Sequence, residues 1–424
     1  MGRVGAPPDA HHRARTAPTP EDTMSRVLVL TPWDRMWSLS GGGAPSWAYL
    51  IEGMLARGHR VDVLAAPGAT QDYPEHPRLR VMRTDPVTIT GGLLSRGRIW
   101  AQRTRVLVDG ARSYTHTYGR PDLVYGFSAL ATPAAAICAA RWRRPSVGKL
   151  FGTFLLPAVG HPAGLLEKWD EALGFWVPLT RLVVHDDGTG GDIVARWLRV
   201  PETRLRFWRN GVDRAACQLA RATAEPQRVR DEAGLTAEGP MIYTASRLVN
   251  WKRVDRIVHA LPGVLARHPT ATLVIAGDGP ERAALETFAE DLGVSGAVTF
   301  AGAIPRQQNL RLMAAADVFT ATYDYSNLGN ALQEAMSCGA PVVVTDSGRT
   351  RDLVSHNVAG LVVAPEDTNA LSGALNDLLG DRALRSRLAA GALYAAETRL
   401  PSKEERIAWE VDMVEEVIGV RRRP

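Results

Sequence analysis

RVLVLTPWDRMWSLSGGGAPSWAYLIEGMLARGHRVDVL, residues 26–64, decides how the chain folds. Arg26–Thr31 is a β-rich apolar run, the pattern of a buried strand. The glycine loop Gly41-Gly42-Gly43 follows, and a helix is predicted to begin near Pro45-Ser46. Trp47, Leu50, Ile51, Met54 and Leu55 recur at i, i+3, i+4, i+7 and i+8, one apolar helical face. Arg57-Gly58 supplies a basic last turn and a glycine stop, and Arg60–Leu64 returns to a strand. Strand, loop, helix and strand make a βαβ unit that opens a parallel sheet. Leu123–Phe127 and Leu182–His185 read as later strands of it.

A second series begins after a polar stretch near residues 215–239. Met241–Ala245 and Thr272–Ala276 are predicted strands, with a helix over Val254–His268 between them. The turn Gly277-Asp278-Gly279-Pro280 leads into a helix from Glu281 to about Leu292. Val298–Phe300, Val318–Thr320, Pro341–Thr345 and Leu361–Val363 are short strands separated by helical segments. Ile407, Val411, Val414 and Ile418 form an apolar stripe on a terminal helix that must pack on something. The expected fold class is α/β, two Rossmann-like doubly wound domains facing a central cleft. The expected division is a disordered leader over 1–23, a first domain over 24–212, a linker over 213–239 and a second domain over 240–402. Ligands of such sheets bind at the carboxyl ends of the strands.

The chain has 424 residues, 45% hydrophobic and 22% charged, enough to bury sizeable cores and unlike a disordered protein. Fifty Lys plus Arg against 45 acidic residues leave +5, a mild bias that suits an anionic ligand and falls short of a nucleic-acid-binding stripe. Cys138, Cys217 and Cys338 are odd in number and widely spaced, against a disulfide scaffold and for a reduced, cytoplasmic compartment. Residues 1–23 carry no apolar core of a secretory signal, and the longest apolar run, Ala129–Ala140, is broken by Pro133 and too short to span a bilayer.

Two segments can carry chemistry. Ser246-Arg247-Leu248-Val249-Asn250-Trp251-Lys252 follows the first strand of the second domain and precedes a helix, which puts Arg247 and Lys252 at the cleft edge. Two cations beside a helix N-terminus suit a diphosphate; a solvated basic loop is the alternative. Tyr323–Asn330 is a polar, glycine-containing loop running into a helix that ends at Gly339. Its amides offer another anion or hydroxyl site, and Glu334, one turn in, could accept two ribose hydroxyls or simply face the helix dipole.

In order along one domain, strand–SRLVNWK–helix, GDGP, and LxEAMSCGxPVV before a later strand resemble the retaining family-4 glycosyltransferases of the GT-B fold. RGHRVDVL, the junction Arg209-Asn210-Gly211-Val212-Asp213 and Val298-Thr299-Phe300-Ala301-Gly302 fit the same pattern over roughly Met24 to Val420. The resemblance implies that Arg247 and Lys252 hold the nucleotide diphosphate as the catalytic cations and that Glu334 binds the ribose. It implies that Gly42 and Gly43 let backbone approach the donor phosphate and the acceptor, that backbone near Ala303–Ile304 meets the nucleobase, and that Ser326, Asn327, Leu328, Gly329 and Asn330 offer amides and side chains to donor hydroxyls and phosphate. It also implies that the terminal helix, residues 403–420, crosses back to the first domain. The reaction implied is sugar transfer with retention from a nucleoside-diphosphate sugar, of UDP or GDP type, to an acceptor hydroxyl. No Asp-x-Asp motif occurs, so no metal and no further cofactor is expected.

There are two departures. The family pattern has a first glutamate eight residues before Glu334, and Ser326 stands there, which excludes double displacement through that carboxylate and suggests altered sugar recognition. A His-Gly on the acceptor side is Phe151-Gly152. His185, Asp186 or Asp187, in His185–Gly191, could contact the acceptor or act as base, though an N-cap loop is the simpler reading. Arg96, Arg98, Arg103 and Arg105 among apolar residues of 91–108 could press on an anionic membrane, but a packed surface helix is the simpler reading. Phe154–Trp176 is apolar enough to shape an acceptor pocket. The expected partners are a sugar nucleotide and a hydroxylated acceptor, small-molecule in a secondary-metabolite pathway or, alternatively, lipid-linked; no nucleic acid is expected, and a homodimer is left open. A sugar-nucleotide 2-epimerase and a non-catalytic sugar-nucleotide binder are the competing readings.

Overall fold

The computed structural model describes residues 24–32, 45–67, 73, 75–85, 95–232, 234 and 239–419. The leader and the Gly41–Gly43 loop, with the site residues Gly42 and Gly43, lie outside them. Strands β1 (Arg26–Thr31), β2 (Arg60–Ala65), β3 (Leu79–Arg83), β4 (Leu123–Phe127), β5 (Ser146–Leu150), β6 (Arg181–His185) and β7 (Leu205–Trp208) form a sheet in the order 3-2-1-4-5-6-7. Strands β8 (Met241–Ala245), β9 (Thr272–Ala276), β10 (Val298–Gly302), β11 (Val318–Ala321), β12 (Val342–Thr345) and β13 (Leu361–Val363) form a second, in the order 10-9-8-11-12-13. All pairings are parallel. The order reverses between β1 and β4 in one sheet and between β8 and β11 in the other. At such a switch point the two following loops diverge to opposite faces and leave a crevice.

The central strands are apolar end to end because helices cover both faces. Val27, Val29, Tyr125 and Val147 pack on one side of the first sheet, Leu28, Leu30, Val124 and Leu150 on the other. Three strands of this sheet escape the sequence pattern. β3 and β7 are edge strands carrying Arg80, Arg83 and Arg206, and none of their residues is fully buried. β5 contains Lys149, which is nonetheless fully buried.

The last helix, Lys403–Gly419, lies on the first sheet, with Val411, Val414 and Val417 in one core cluster with β1, β2 and β4. A buried ion pair fixes it: Lys149 Nζ donates to both Glu410 carboxylate oxygens at 3.0 Å, and Tyr125 donates its hydroxyl to the same group. Burial would raise the Glu410 carboxyl, but Lys149 and Arg406 together hold it below its ordinary range. Burial pushes Lys149 down to about 8 against the pull of Glu410.

Residues 213–239, expected as a linker, contain the helices Arg214–Thr223 and Pro226–Glu232. Cys217, Ala220 and Val229 bury with Leu310, Leu312 and Met313 of the helix Arg306–Ala315. Small, spaced apolar residues among many charged ones made an amphipathic segment read as polar. The described part of this stretch thus belongs to the second core.

Candidate active site

The two sheets meet at their carboxyl edges. The Arg349 amide donates to the Gly188 carbonyl at 3.1 Å, Arg349 Nη1 reaches Asp192 at 3.3 Å, and Asn210 Nδ2 donates to Asn330 Oδ1 at 2.9 Å. The loops after β8 and β11, the two strands beside the second switch point, supply most of the predicted residues.

After β8, Leu248 is buried and its amide donates to the Asp278 carbonyl at 3.0 Å, bracing the loop on the GDGP turn. Gly277 has φ +130°, and a Cβ there would stand 1.8 Å from the Ser246 carbonyl oxygen, so the two loops close only over glycine. One 3₁₀ turn, Asn250–Lys252, then ends at Arg253 in a left-handed conformation with φ 50°. Arg247 is exposed, its carbonyl accepts the Val249 amide at 3.0 Å, and its guanidinium makes no hydrogen bond or ion pair among the described residues. Lys252 lies with Nζ 4.2 Å from the Trp251 ring centroid and 3.5 Å from that of Tyr323. Burial pushes its ammonium down to about 7; Asp187 from the other half pulls it up and Arg247 pushes it further down. Two aromatic faces and no carboxylate hydrogen bond leave the charge available to an incoming anion.

After β11, Asn327 is fully buried. Its Nδ2 donates to the Thr345 carbonyl at 2.7 Å, with the hydroxyls of Thr345, Ser347 and Thr350 also in reach, and its Oδ1 accepts the Tyr323 amide at 3.0 Å. Its side chain is committed to holding the loop, which corrects the expectation that it meets donor hydroxyls. The Leu328 amide is likewise spent on Ser326 Oγ at 3.1 Å. Ser326 itself is 6% exposed beneath the first half, where a Cβ on Gly188 would come within 2.2 Å of its Oγ. Its role is packing and turn closure rather than the sugar contact expected. Gly329 and Asn330 open the helix Asn330–Ser337, and no side chain caps that N-terminus, so its amides remain for an anion.

Glu334 is 8% exposed. Arg306, which the sequence reading missed, donates from Nε at 3.0 Å and Nη2 at 2.8 Å to Glu334 Oε1, and Nη1 lies 3.3 Å from Asp213 Oδ2. Burial raises the Glu334 carboxyl, Arg306 opposes that rise and Asp213 adds to it. Ser46, Asn210, Gly211, Val212, Arg306, Asn330 and Glu334 line one small pocket between the halves. Ile304 is half-buried, its side chain packed on the second core.

On the acceptor side Asp186 Oδ2 is bound to Arg209, 2.7 Å from Nη2, while its buried Oδ1 has no hydrogen-bond partner among the described residues. Asp187 Oδ1 accepts the Thr189 amide at 3.1 Å and its hydroxyl at 2.6 Å. The following helix instead begins at Gly190 without a side-chain cap, so Asp187 closes a turn rather than an N-terminus. Burial raises the Asp187 carboxyl, and its Oδ2 leans on Gly152, where φ is +82° and a Cβ would stand 2.0 Å away. The half-buried Phe151 ring packs edge-on to His185 at 4.9 Å and beside Phe127, at the rim of the first core. His185, the other candidate base in this loop, is buried, its Nε2 has no hydrogen-bond partner among the described residues, and burial keeps it neutral by lowering it well below its ordinary range. Phe154 crosses the cleft, its ring edge-on to Tyr325 at 4.9 Å and to Trp251 at 5.9 Å. The helix Ser95–Tyr118 buries Leu107, Val108, Ala111 and Tyr114 in the first core, so its apolar side is largely spent on packing.

Comparison with known proteins matches residues 227–393 to the family Glycosyl transferases group 1 and residues 40–216 to Glycosyltransferase Family 4. An uncharacterized glycosyltransferase of Methanocaldococcus jannaschii is 24% identical over 403 residues, covering 93% of this chain and 97% of that one. A GDP-mannose-dependent alpha-(1-6)-phosphatidylinositol monomannoside mannosyltransferase of Mycolicibacterium smegmatis is 33% identical over 225 residues, 48% of this chain and 57% of that protein. Among solved structures, sucrose-phosphate synthase from Thermosynechococcus elongatus shares the fold with TM-score 0.75 at 18% identity, over 93% of this chain and 100% of that one. The Anabaena protein HepE, solved with UDP-glucose, does so with TM-score 0.70 at 20% identity, over 92% and 100%.

Proposed function

The chain belongs to the GT-B glycosyltransferases, with its first half in family 4 and its second in group 1, and from that premise we propose the reaction it performs. It moves a sugar from a nucleoside-diphosphate sugar to a hydroxyl of a small acceptor in the cytoplasm, with retention at the anomeric carbon and without a metal ion. The single observation that carries this reading is Lys252, half-buried against two aromatic faces beside Arg247 with no competing carboxylate bond among the described residues. The pair and the amides of Gly329 and Asn330 take the diphosphate, Glu334 takes the ribose diol, and backbone near Ile304 takes the base. The anomeric C–O bond to the β-phosphate breaks while the acceptor oxygen bonds on the same face. The acceptor proton passes to the departing phosphate oxygen, and nucleoside diphosphate leaves. Cations aimed at that oxygen in a closed cleft stabilise the charge as it develops.

A lipid-linked acceptor is the second reading, favoured by the mycolicibacterial relative, which is named for mannose transfer to a phosphatidylinositol monomannoside. The test begins with UDP- and GDP-sugar panels and release of nucleoside diphosphate. Arg247→Ala is expected to lower turnover ~100-fold with the fold intact, in line with the loss of one charge-stabilising donor. Wild-type turnover in that variant refutes the assignment of Arg247. NMR of an inverted product anomer refutes retention, and acceptor activity only with liposome-borne substrate selects the second reading.

A further inference from the structure

We infer that Arg306 is a positioning residue for the nucleotide ribose, acting through Glu334. This rests on the reading of Glu334 as the ribose ligand and deepens it. Arg306 opens the helix Arg306–Ala315 and lies between two carboxylates: Asp213, the last residue of the interdomain junction, and Glu334, in the helix that follows the β11 loop. Both of its contacts to Glu334 fall on Oε1, at 3.0 and 2.8 Å. Two N–H donors on one oxygen use up its lone pairs and fix the plane of the carboxylate. Among the described residues Oε2 accepts no hydrogen bond, so it is the oxygen left for the diol.

The arrangement also answers a physical difficulty. A ribose diol brings two O–H donors and needs an ionised acceptor. Glu334 is nearly buried, with the Asp213 carboxylate close by, and both conditions favour the protonated acid. A protonated carboxyl would turn an acceptor into a donor. Among the described residues Arg306 supplies the one cation that lines the same small pocket, and it keeps Glu334 ionised and oriented.

The experiment is a thermodynamic cycle. Binding of UDP, GDP and ADP is measured calorimetrically, and the tightest is compared with its 2′,3′-dideoxy analogue, for wild type, Arg306→Ala, Arg306→Lys and Glu334→Gln. Wild type is expected to bind the natural nucleotide at least ~10-fold more tightly than the dideoxy form, the range for hydrogen bonds to a charged group. Arg306→Ala is expected to erase most of that preference while binding the dideoxy form as wild type does, and Arg306→Lys to restore part of it. If none of the three nucleotides binds, or wild type does not discriminate against the dideoxy form, the reading of Glu334 falls and this inference with it. If wild type discriminates but Arg306→Ala weakens both nucleotides equally, Glu334 stands and the positioning role falls. Tighter binding of the natural nucleotide by Arg306→Ala makes Arg306 a competitor of the ribose and also overturns it. A thermal melt keeps a folding defect in the alanine variant separate, and the lysine variant then carries the cycle.

Discussion

Lys252 makes donor binding pH-dependent in a direction the structure dictates. In the free protein burial and Arg247 bring its ammonium down to about 7, with Asp187 acting against them. A bound diphosphate adds negative charge next to Nζ, so the complex holds the proton to higher pH than the free protein. Affinity is therefore flat well below pH 7, where both states are charged. It falls as pH rises through 7, by about tenfold per unit, because binding must then take up a proton. At pH 8 roughly one free lysine in ten is protonated, a loss of about 1.4 kcal/mol relative to pH 6. The groups facing Nζ are Arg247 on its own loop, Tyr323 after β11, whose hydroxyl burial pushes up, and Asp187 across the cleft. The assay is calorimetric binding of an intact sugar nucleotide between pH 6 and 9, since its diphosphate carries no terminal phosphate titrating near pH 6. The same titration in buffers of different ionisation enthalpy counts the proton directly. Lys252→Arg, which stays charged, should bind with a flat profile. A flat wild-type profile, or a slope that survives in the arginine variant, refutes the reasoning.

Glu410→Gln leaves Lys149 buried without its counter-charge and should cost about 3–5 kcal/mol in urea unfolding, while Lys149→Met with Glu410→Leu together should recover most of it. Asn327→Ala strands the Tyr323 amide and the acceptors around Nδ2; it should cost about 1–3 kcal/mol in the same assay and lower transfer at least tenfold, whereas a mere sugar ligand would leave stability unchanged.

What could be read from the chain follows how local the determining interaction is. All six strands of the second sheet stand out because each is a short apolar run bounded by turn residues. Arg247, Lys252 and the Tyr323–Asn330 loop were placed by that framework, since a residue just past a central strand has to lie at the carboxyl edge. Orientation was not legible. Nothing local in Asn327 says that its amide turns inward to Thr345 instead of outward to a ligand. Arg306 was invisible for a related reason: its meaning comes from Asp213 and Glu334, 93 and 28 positions away. Lys149 hid β5 because a charged residue in a strand pattern argues for exposure, and its partner Glu410 is 261 positions on.

Position 326 brings these threads together. A serine in place of a glutamate could mean a lost sugar ligand or an inactive site, and the contacts around it favour a different account. Ser326 Oγ closes the turn onto the Leu328 amide, Gly188 presses on it from the first half, and a Cβ on Gly348 would come within 2.9 Å of its Cβ. The same patch carries the Arg349–Gly188 and Arg349–Asp192 contacts that join the two halves. A carboxylate there would have to be buried against backbone, with Arg349 already engaged by Asp192 and Asp352. The small residue lets the halves approach, and the approach brings Asp187 toward Lys252 and Asn210 onto Asn330. On the proposed reading, sugar recognition then falls to residues other than position 326, while Arg247, Lys252, the amides opening the helix Asn330–Ser337 and Glu334 still hold the diphosphate and the ribose.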